Sequence, residues 1–125
     1  PCPRDIGEYI RCINDSLALA YRRAVRQAVE LSGREVKVLH IVGGGIRNRL
    51  LCQLAADATG LPVLAGPAEG TALGNVVIAA RGAGVIDGDL SDLRRLIRSS
   101  SRLTRYTPDL DTSSNWDDVE RRLFG

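Results

Sequence analysis

The feature that most constrains this chain is a junction. Val36-Lys37-Val38-Leu39-His40-Ile41-Val42 runs directly into Gly43-Gly44-Gly45, and a helical pattern follows at once. The seven-residue stretch is β-branched and nearly continuous in apolar character, the pattern of a strand covered on both faces in a parallel sheet. The pattern after the glycines predicts a helix from about Ile46 to Thr59, with Ile46, Leu50, Leu51, Leu54, Ala55 and Ala58 on its apolar face. Gly60 is placed for a left-handed cap and Pro62 forbids continuation. Pro62-Val63-Leu64-Ala65 then reads as a second strand.

The flanks are helical. Ile6, Ile10, Ile13, Leu17, Tyr21, Ala24, Ala28 and Leu31 recur every three or four residues and predict one apolar stripe, with Asp5 as N-cap and Gly33 as stop. Arg11, Arg22, Arg23 and Arg26 fall mostly on the other face and read as a solvated surface. A third helix is predicted from about Thr71 to Ala80. Only Asn75 is polar between Ala72 and Ala80, so this helix is expected to be buried on nearly all sides. Gly74 within it suggests close packing. Ser91 reads as the N-cap of a short helix carrying Leu93, Leu96 and Ile97. An extended stretch ends at Pro108, and residues 109–125 form a tail helix with Trp116, Val119 and Leu123.

The order α-β-α-β-α-α predicts an α/β fold, with right-handed crossovers giving a short parallel sheet packed by helices. Two strands make a poor sheet with open edges. The missing strands are expected upstream, or a second copy is expected to cover the edge by self-association. The sequence contains no methionine and opens on Pro1-Cys2-Pro3. Both facts favour reading it as the C-terminal piece of a longer chain.

Composition excludes several function classes. One hundred and twenty-five residues make one domain. A net charge of +2, with basic residues spread along the chain and 4% aromatics, argues against a nucleic-acid partner. No apolar run reaches the roughly 18 residues of a membrane helix, and no signal peptide opens the chain. Three cysteines, an odd and sparse set, suit a reducing compartment. A cytoplasmic location is therefore expected. His40 is the single histidine, so this chain holds no histidine-rich metal site, and a packed structural role is expected for it. Asp87, Asp89 and Asp92 read as a surface turn rather than a calcium site. Asn14-Asp15-Ser16 has the form of a glycosylation acceptor but falls mid-helix.

Chemistry concentrates at the glycines. At the carboxyl end of a strand they let a ligand approach the backbone, and amides of a following helix N-terminus favour phosphate. The dinucleotide fingerprint fails, because its last glycine would be Asn48, and no Gly-Lys-Ser/Thr of a phosphate loop exists. Asn48 instead offers an amide that both donates and accepts, one turn beyond the glycines. Gly43, Gly44, Gly45 and Asn48 are the candidate nucleotide-binding residues.

The stretch from Gly43 to Val63 resembles the nucleotide-binding signature of the FGGY carbohydrate kinases. Its core, Gly-Gly-x-x-x-Asn-x-x-Leu-x-Gln-x-x-Ala-Asp, is matched from Gly43 to Asp57. Ala65 to Asn75 is similar to a narrower group within the family that phosphorylates a ketose, as are Ser16-Leu17-Ala18, Tyr21-Arg22 and Tyr106-Thr107-Pro108. The resemblance covers nearly the whole chain, more loosely after about residue 85. It implies the last part of an actin-like (ribonuclease H-like) ATPase domain, with ATP or ADP and Mg2+ as cofactors. Gly44 and Asn48 would contact the nucleotide while Gly43 and Gly45 shape the loop. It also implies in-line phosphoryl transfer to a sugar. The family's phosphate loop and its aspartate base are not matched here, so no catalytic and no metal-binding residue is assigned. The sugar is expected to bind an upstream domain, and this chain alone is expected to be inactive. One competing reading keeps the enzyme class and changes the substrate to another ketose; the other is a free-standing, non-catalytic module that binds nucleotide or a partner.

Overall fold

The computed structural model describes residues 2–125, and the side chains of all of these except residues 112–114. Helix α1 spans Ile6–Ser32. Its start is fixed reciprocally: the Asp5 carboxylate accepts from the Glu8 amide at 2.9 Å, and the Glu8 carboxylate accepts from the Arg4 amide at 2.7 Å. Gly33 ends it in the left-handed conformation. Strand β1 (Leu39–Ile41) leads into a 3-10 turn, Gly43–Arg47, and then helix α2, Arg49–Thr59. Strand β2 (Val63–Ala65), helices α3 (Gly70–Gly82) and α4 (Leu90–Ser100), strand β3 (Thr104–Tyr106), a 3-10 turn at Leu110–Thr112 and helix α5 (Ser113–Phe124) complete the chain.

The sheet order is β1-β2-β3. β1 and β2 are parallel, with Leu39 opposite Val63 and Ile41 opposite Ala65. β3 lies in the extended stretch before Pro108, which the sequence pattern does not count as a strand of the sheet. It runs antiparallel to β2, with Tyr106 opposite Val63, so the sheet is mixed rather than purely parallel. Three residues are too few to show an alternation; the free edge of β2 places them. β1 is also shorter than the Val36–Val42 pattern suggests. It lies at the sheet edge and is not buried on both faces. His40 is exposed and lines an open groove with Val42, Pro67, Arg94 and Leu103 instead of packing inside.

The core lies between α2 and the sheet. Cys52, Ala55, Ala56, Val63 and Ala65 are buried together, with Tyr21, Leu39, Ile41, Ile46 and Tyr106 packed around them. A second cluster, Ala18, Leu54 and Ala58, joins α1 to α2 and takes Trp116 of α5 against it. Alanines at this crossing allow the two helices to approach closely.

Burial departs from the sequence pattern in three places. Apart from Tyr21, the apolar stripe of α1 is largely turned away from the core. Ile6 is 78% and Ile13 59% exposed, while Asn14, Ala18, Leu19 and Arg22 are the buried residues of this helix. Helix α3 buries no residue, and Val76 is 64% exposed; its main contact is with α4. Gly74 is not a packing glycine within this chain, since a Cβ there would meet nothing within 4 Å. Arg22, expected on the surface, is buried. Its guanidinium donates to the Ala58 carbonyl near the end of α2, to Asp117, and to Glu120 at 2.8 Å. Arg26 donates to the same two acids, at 2.9 and 2.7 Å, so α1 grips α5 through a four-residue ionic cluster. The N-cap of α4 is Asp89 rather than Ser91. Its carboxylate accepts from the Ser91 and Asp92 amides, and the Asp92 carboxylate accepts in return from the Asp89 amide. That capping box accounts for the Asp89 and Asp92 pair.

Candidate nucleotide site

The four candidate residues lie in one turn at the end of β1. Two loops are stitched together there. The Gly66 amide donates to the Ile41 carbonyl at 2.8 Å, and the Gly43 amide donates to the Pro67 carbonyl at 3.1 Å. Gly43 has φ +76°, a value that L side chains rarely adopt, so its glycine is required by the backbone. Gly66 is required by space as well, because a Cβ there would lie 2.7 Å from the Arg102 carbonyl oxygen. Gly44 differs from both. Its φ is ordinary and a Cβ would meet nothing within 4 Å. Nothing in the folded chain demands a glycine there. Gly45 is nearer the body: a Cβ there would lie 3.6 Å from the Ile41 side chain.

The amides that follow the glycines belong to the 3-10 turn, not to the start of α2 as the sequence pattern suggests. Helix α2 begins at Arg49, with Asn48 as its N-cap. The Asn48 Oδ1 accepts from the Leu51 amide at 3.0 Å, satisfying one of the donors a helix start leaves open. Its Nδ2 donates to Asn14 Oδ1 at 2.7 Å. Asn48 is thus a structural cap, with one N–H and one lone pair left over among the described contacts. Its own amide donates to the Gly45 carbonyl at 3.1 Å, closing the turn. The Cys52 thiol, 3.9 Å from the same carbonyl, ties the turn to the core, and burial raises its pKa.

Two further residues of the sequence signature have structural work. Gln53 Nε2 donates to Asp57 at 2.8 Å and to the Thr107 carbonyl at 2.9 Å. Asp57 also accepts from the Asp109 amide at 2.8 Å. Together they anchor the segment leaving β3 to α2. Asn14 is the residue that sequence reasoning misses. Its signal is a polar residue four before Ala18 and eight before Arg22, on what proves to be the buried face. Among the described residues, no group of three or more His, Cys, Asp or Glu side chains is placed to hold a metal ion.

Residues 2–83 match the FGGY family of carbohydrate kinases, C-terminal domain. The chain belongs to this family. It is 44% identical over 117 residues to a rhamnulokinase of Bacteroides thetaiotaomicron, covering 94% of this chain and 24% of that protein. It is 42% identical over 112 residues to a rhamnulokinase of Klebsiella pneumoniae, covering 90% and 23%. The crystal structure of xylulose kinase from Rhodospirillum rubrum superposes with a TM-score of 0.70 at 26% identity, covering 98% of this chain and 24% of that one. This FGGY chain therefore has the fold of part of an actin-like ATPase domain, and it spans about a quarter of the length of the relatives it matches.

Proposed function

We propose that this chain is the nucleotide-binding portion of an ATP-dependent sugar kinase, and that the full-length protein phosphorylates L-rhamnulose to L-rhamnulose 1-phosphate with release of ADP. The observation that carries the reading is the Gly43–Asn48 turn, whose Gly44 faces open space at the carboxyl end of a strand, in a member of the FGGY family. The rhamnulokinase relatives supply the sugar. Gly44 and Asn48 would lie against the adenine nucleotide, with Gly43 and Gly45 holding the turn. ATP supplies the transferred phosphoryl group. Magnesium would be held by its phosphates and by residues outside this chain, as would the sugar and the base that activates it. A cytoplasmic location accompanies this reading; no helix among the described residues is long and apolar enough to cross a membrane.

The exposed surface supports a larger parent. The chain exposes 8831 Å², against about 6,500 Å² for a compact monomer of its mass. Exposed apolar side chains contribute to the excess, among them Ile6, Ile13 and Leu31 of α1 and Val76 and Ile78 of α3. The alternative reading, a free-standing module that self-associates, draws on the same open faces and the free edge of β1. Sugar-dependent ADP release separates the two. The full-length protein is expected to release ADP with L-rhamnulose, and the 125-residue chain is expected not to. Equal activity with another ketose moves the substrate; no activity with any sugar removes the kinase reading.

A further inference from the structure

We propose that Asn14 of α1 is a positioning residue for the nucleotide site, setting the direction in which the Asn48 amide faces. The inference rests on the nucleotide reading of the glycine turn. Asn14 lies 34 positions from Asn48 in sequence and is only 4% exposed. Its Nδ2 donates to the Ile10 carbonyl at 2.9 Å, and its Oδ1 accepts from Asn48 Nδ2 at 2.7 Å. Asn48 Oδ1 then accepts from the Leu51 amide at 3.0 Å.

These bonds form a relay with backbone at both ends. The Ile10 carbonyl can only accept, so Asn14 must turn its Nδ2 toward it. The Leu51 amide can only donate, so Asn48 must turn its Oδ1 toward it. The two inner atoms are then an oxygen facing an N–H. Flipping either amide sets like groups against each other at two contacts. The polarity of two helices therefore fixes both side-chain amides, which local geometry alone leaves ambiguous. The torsion that turns an asparagine amide is broad. The cap bond holds Asn48 at one end, and Asn14 adds the second point that fixes its plane. The relay also disfavours aspartate at position 48. Aspartate and serine cap a helix comparably, but an aspartate would turn an oxygen toward Asn14 Oδ1. The remaining N–H of Asn48 is left pointing in one set direction beside the glycine turn.

Two substitutions in the 125-residue chain separate positioning from plain support. In Asn14→Leu the buried site becomes apolar and the exposed Asn48 can turn to water. Thermal stability is expected to hold, while the dissociation constant for Mg·ADP rises about tenfold, the scale of one oriented hydrogen bond. In Asn14→Asp the carboxylate still accepts from Asn48 but sets an oxygen against the Ile10 carbonyl. Stability is expected to fall, with only about a twofold loss of affinity. Affinity and stability thus change in opposite order. A merely structural Asn14 would make Asn14→Asp the worse variant in both, and that result overturns the proposal. The side-chain amide signals of Asn48 in an NMR spectrum give a readout without ligand. They are expected to be dispersed and slow to exchange in the parent chain and to lose both properties in Asn14→Leu; unchanged signals also overturn it. If Mg·ADP at millimolar concentration shifts no amide between Gly43 and Asn48 in the parent chain, the nucleotide reading fails and takes the positioning role with it. The Asn48 signals would still show whether the relay exists.

Discussion

Helices α2 and α3 invite comparison. They have similar lengths, 11 and 13 residues, and α3 is the more apolar in sequence. Yet α2 buries Leu51, Cys52, Leu54, Ala55, Ala56 and Ala58, and α3 buries nothing. The difference lies in what surrounds them. α2 is enclosed by α1, the sheet and α5, whereas α3 has its main contact with α4 alone. Apolar character states that a surface is meant to be covered; it does not state that the cover lies in the same chain. The two faces of α1 repeat the lesson. Most of its apolar stripe is exposed, and of its four buried residues, Asn14, Ala18, Leu19 and Arg22, only Leu19 is a large apolar one.

The sharpest way to break this comparison is to truncate one apolar side chain on each helix. Leu54→Ala removes a buried side chain from the α1–α2 contact and is expected to cost about 3 kcal/mol. Ile78→Ala on α3 removes one that is 57% exposed, and the change is expected to stay within about 0.5 kcal/mol. Urea unfolding of the two variants measures both. Comparable losses would mean that α3 is packed in the isolated chain after all.

Arg22→Ala tests the polar side of the same contact. It would remove a side chain only 6% exposed and leave the Ala58 carbonyl without that donor, while Arg26 still partners Asp117 and Glu120. An expected loss of about 3 kcal/mol, read in the same urea titration, places this cluster on a par with the apolar core. Arg26→Ala, at a side chain 55% exposed, is expected to cost less than about 1 kcal/mol. Similar losses for the two arginines would show that burial of Arg22 carries no special weight.

Much of this fold can be read from particular residues. Asp5, Gly33 and Gly60 mark helix ends because caps are local chemistry, decided within four residues. The strand, the glycines and α2 follow for the same reason, and the turn from Gly43 to Asn48 keeps its four candidate residues together. What escapes the sequence is non-local. β3 exists because β2 has an edge to fill. Arg22 is buried because Asp117 and Glu120, some 95 residues later, come to meet it. Asn48 reads as a free ligand-seeking side chain until Asn14 is seen beside it. Ser91 reads as the cap in place of Asp89 because both residue types cap well, and only the reciprocal bond to Asp92 decides between them.

The smallest expected effect is also the most specific, because it isolates one end of the α1–α5 grip. The Arg26 guanidinium beside Asp117, with Arg22 behind it, holds the Asp117 carboxyl below the usual carboxylate range. A carboxylate with a lowered folded-state pKa binds its proton less readily folded than unfolded. It therefore adds stability that is complete above the ordinary aspartate value of about 4 and is lost as pH falls through the folded value. Asp117→Asn removes that contribution. The parent chain is expected to melt higher than the variant at pH 7, with a gap that narrows steadily below about pH 4 and closes in stronger acid. Asp89, whose carboxyl is also lowered by the Asp92 and Ser91 amides, keeps some acid sensitivity in both proteins, so the gap and not the slope is the quantity to follow. A gap that stays constant from pH 7 to strong acid would mean that α5 is held through Glu120 and through the packing of Trp116 on Ala18, Leu54 and Ala58, with the Asp117 charge incidental.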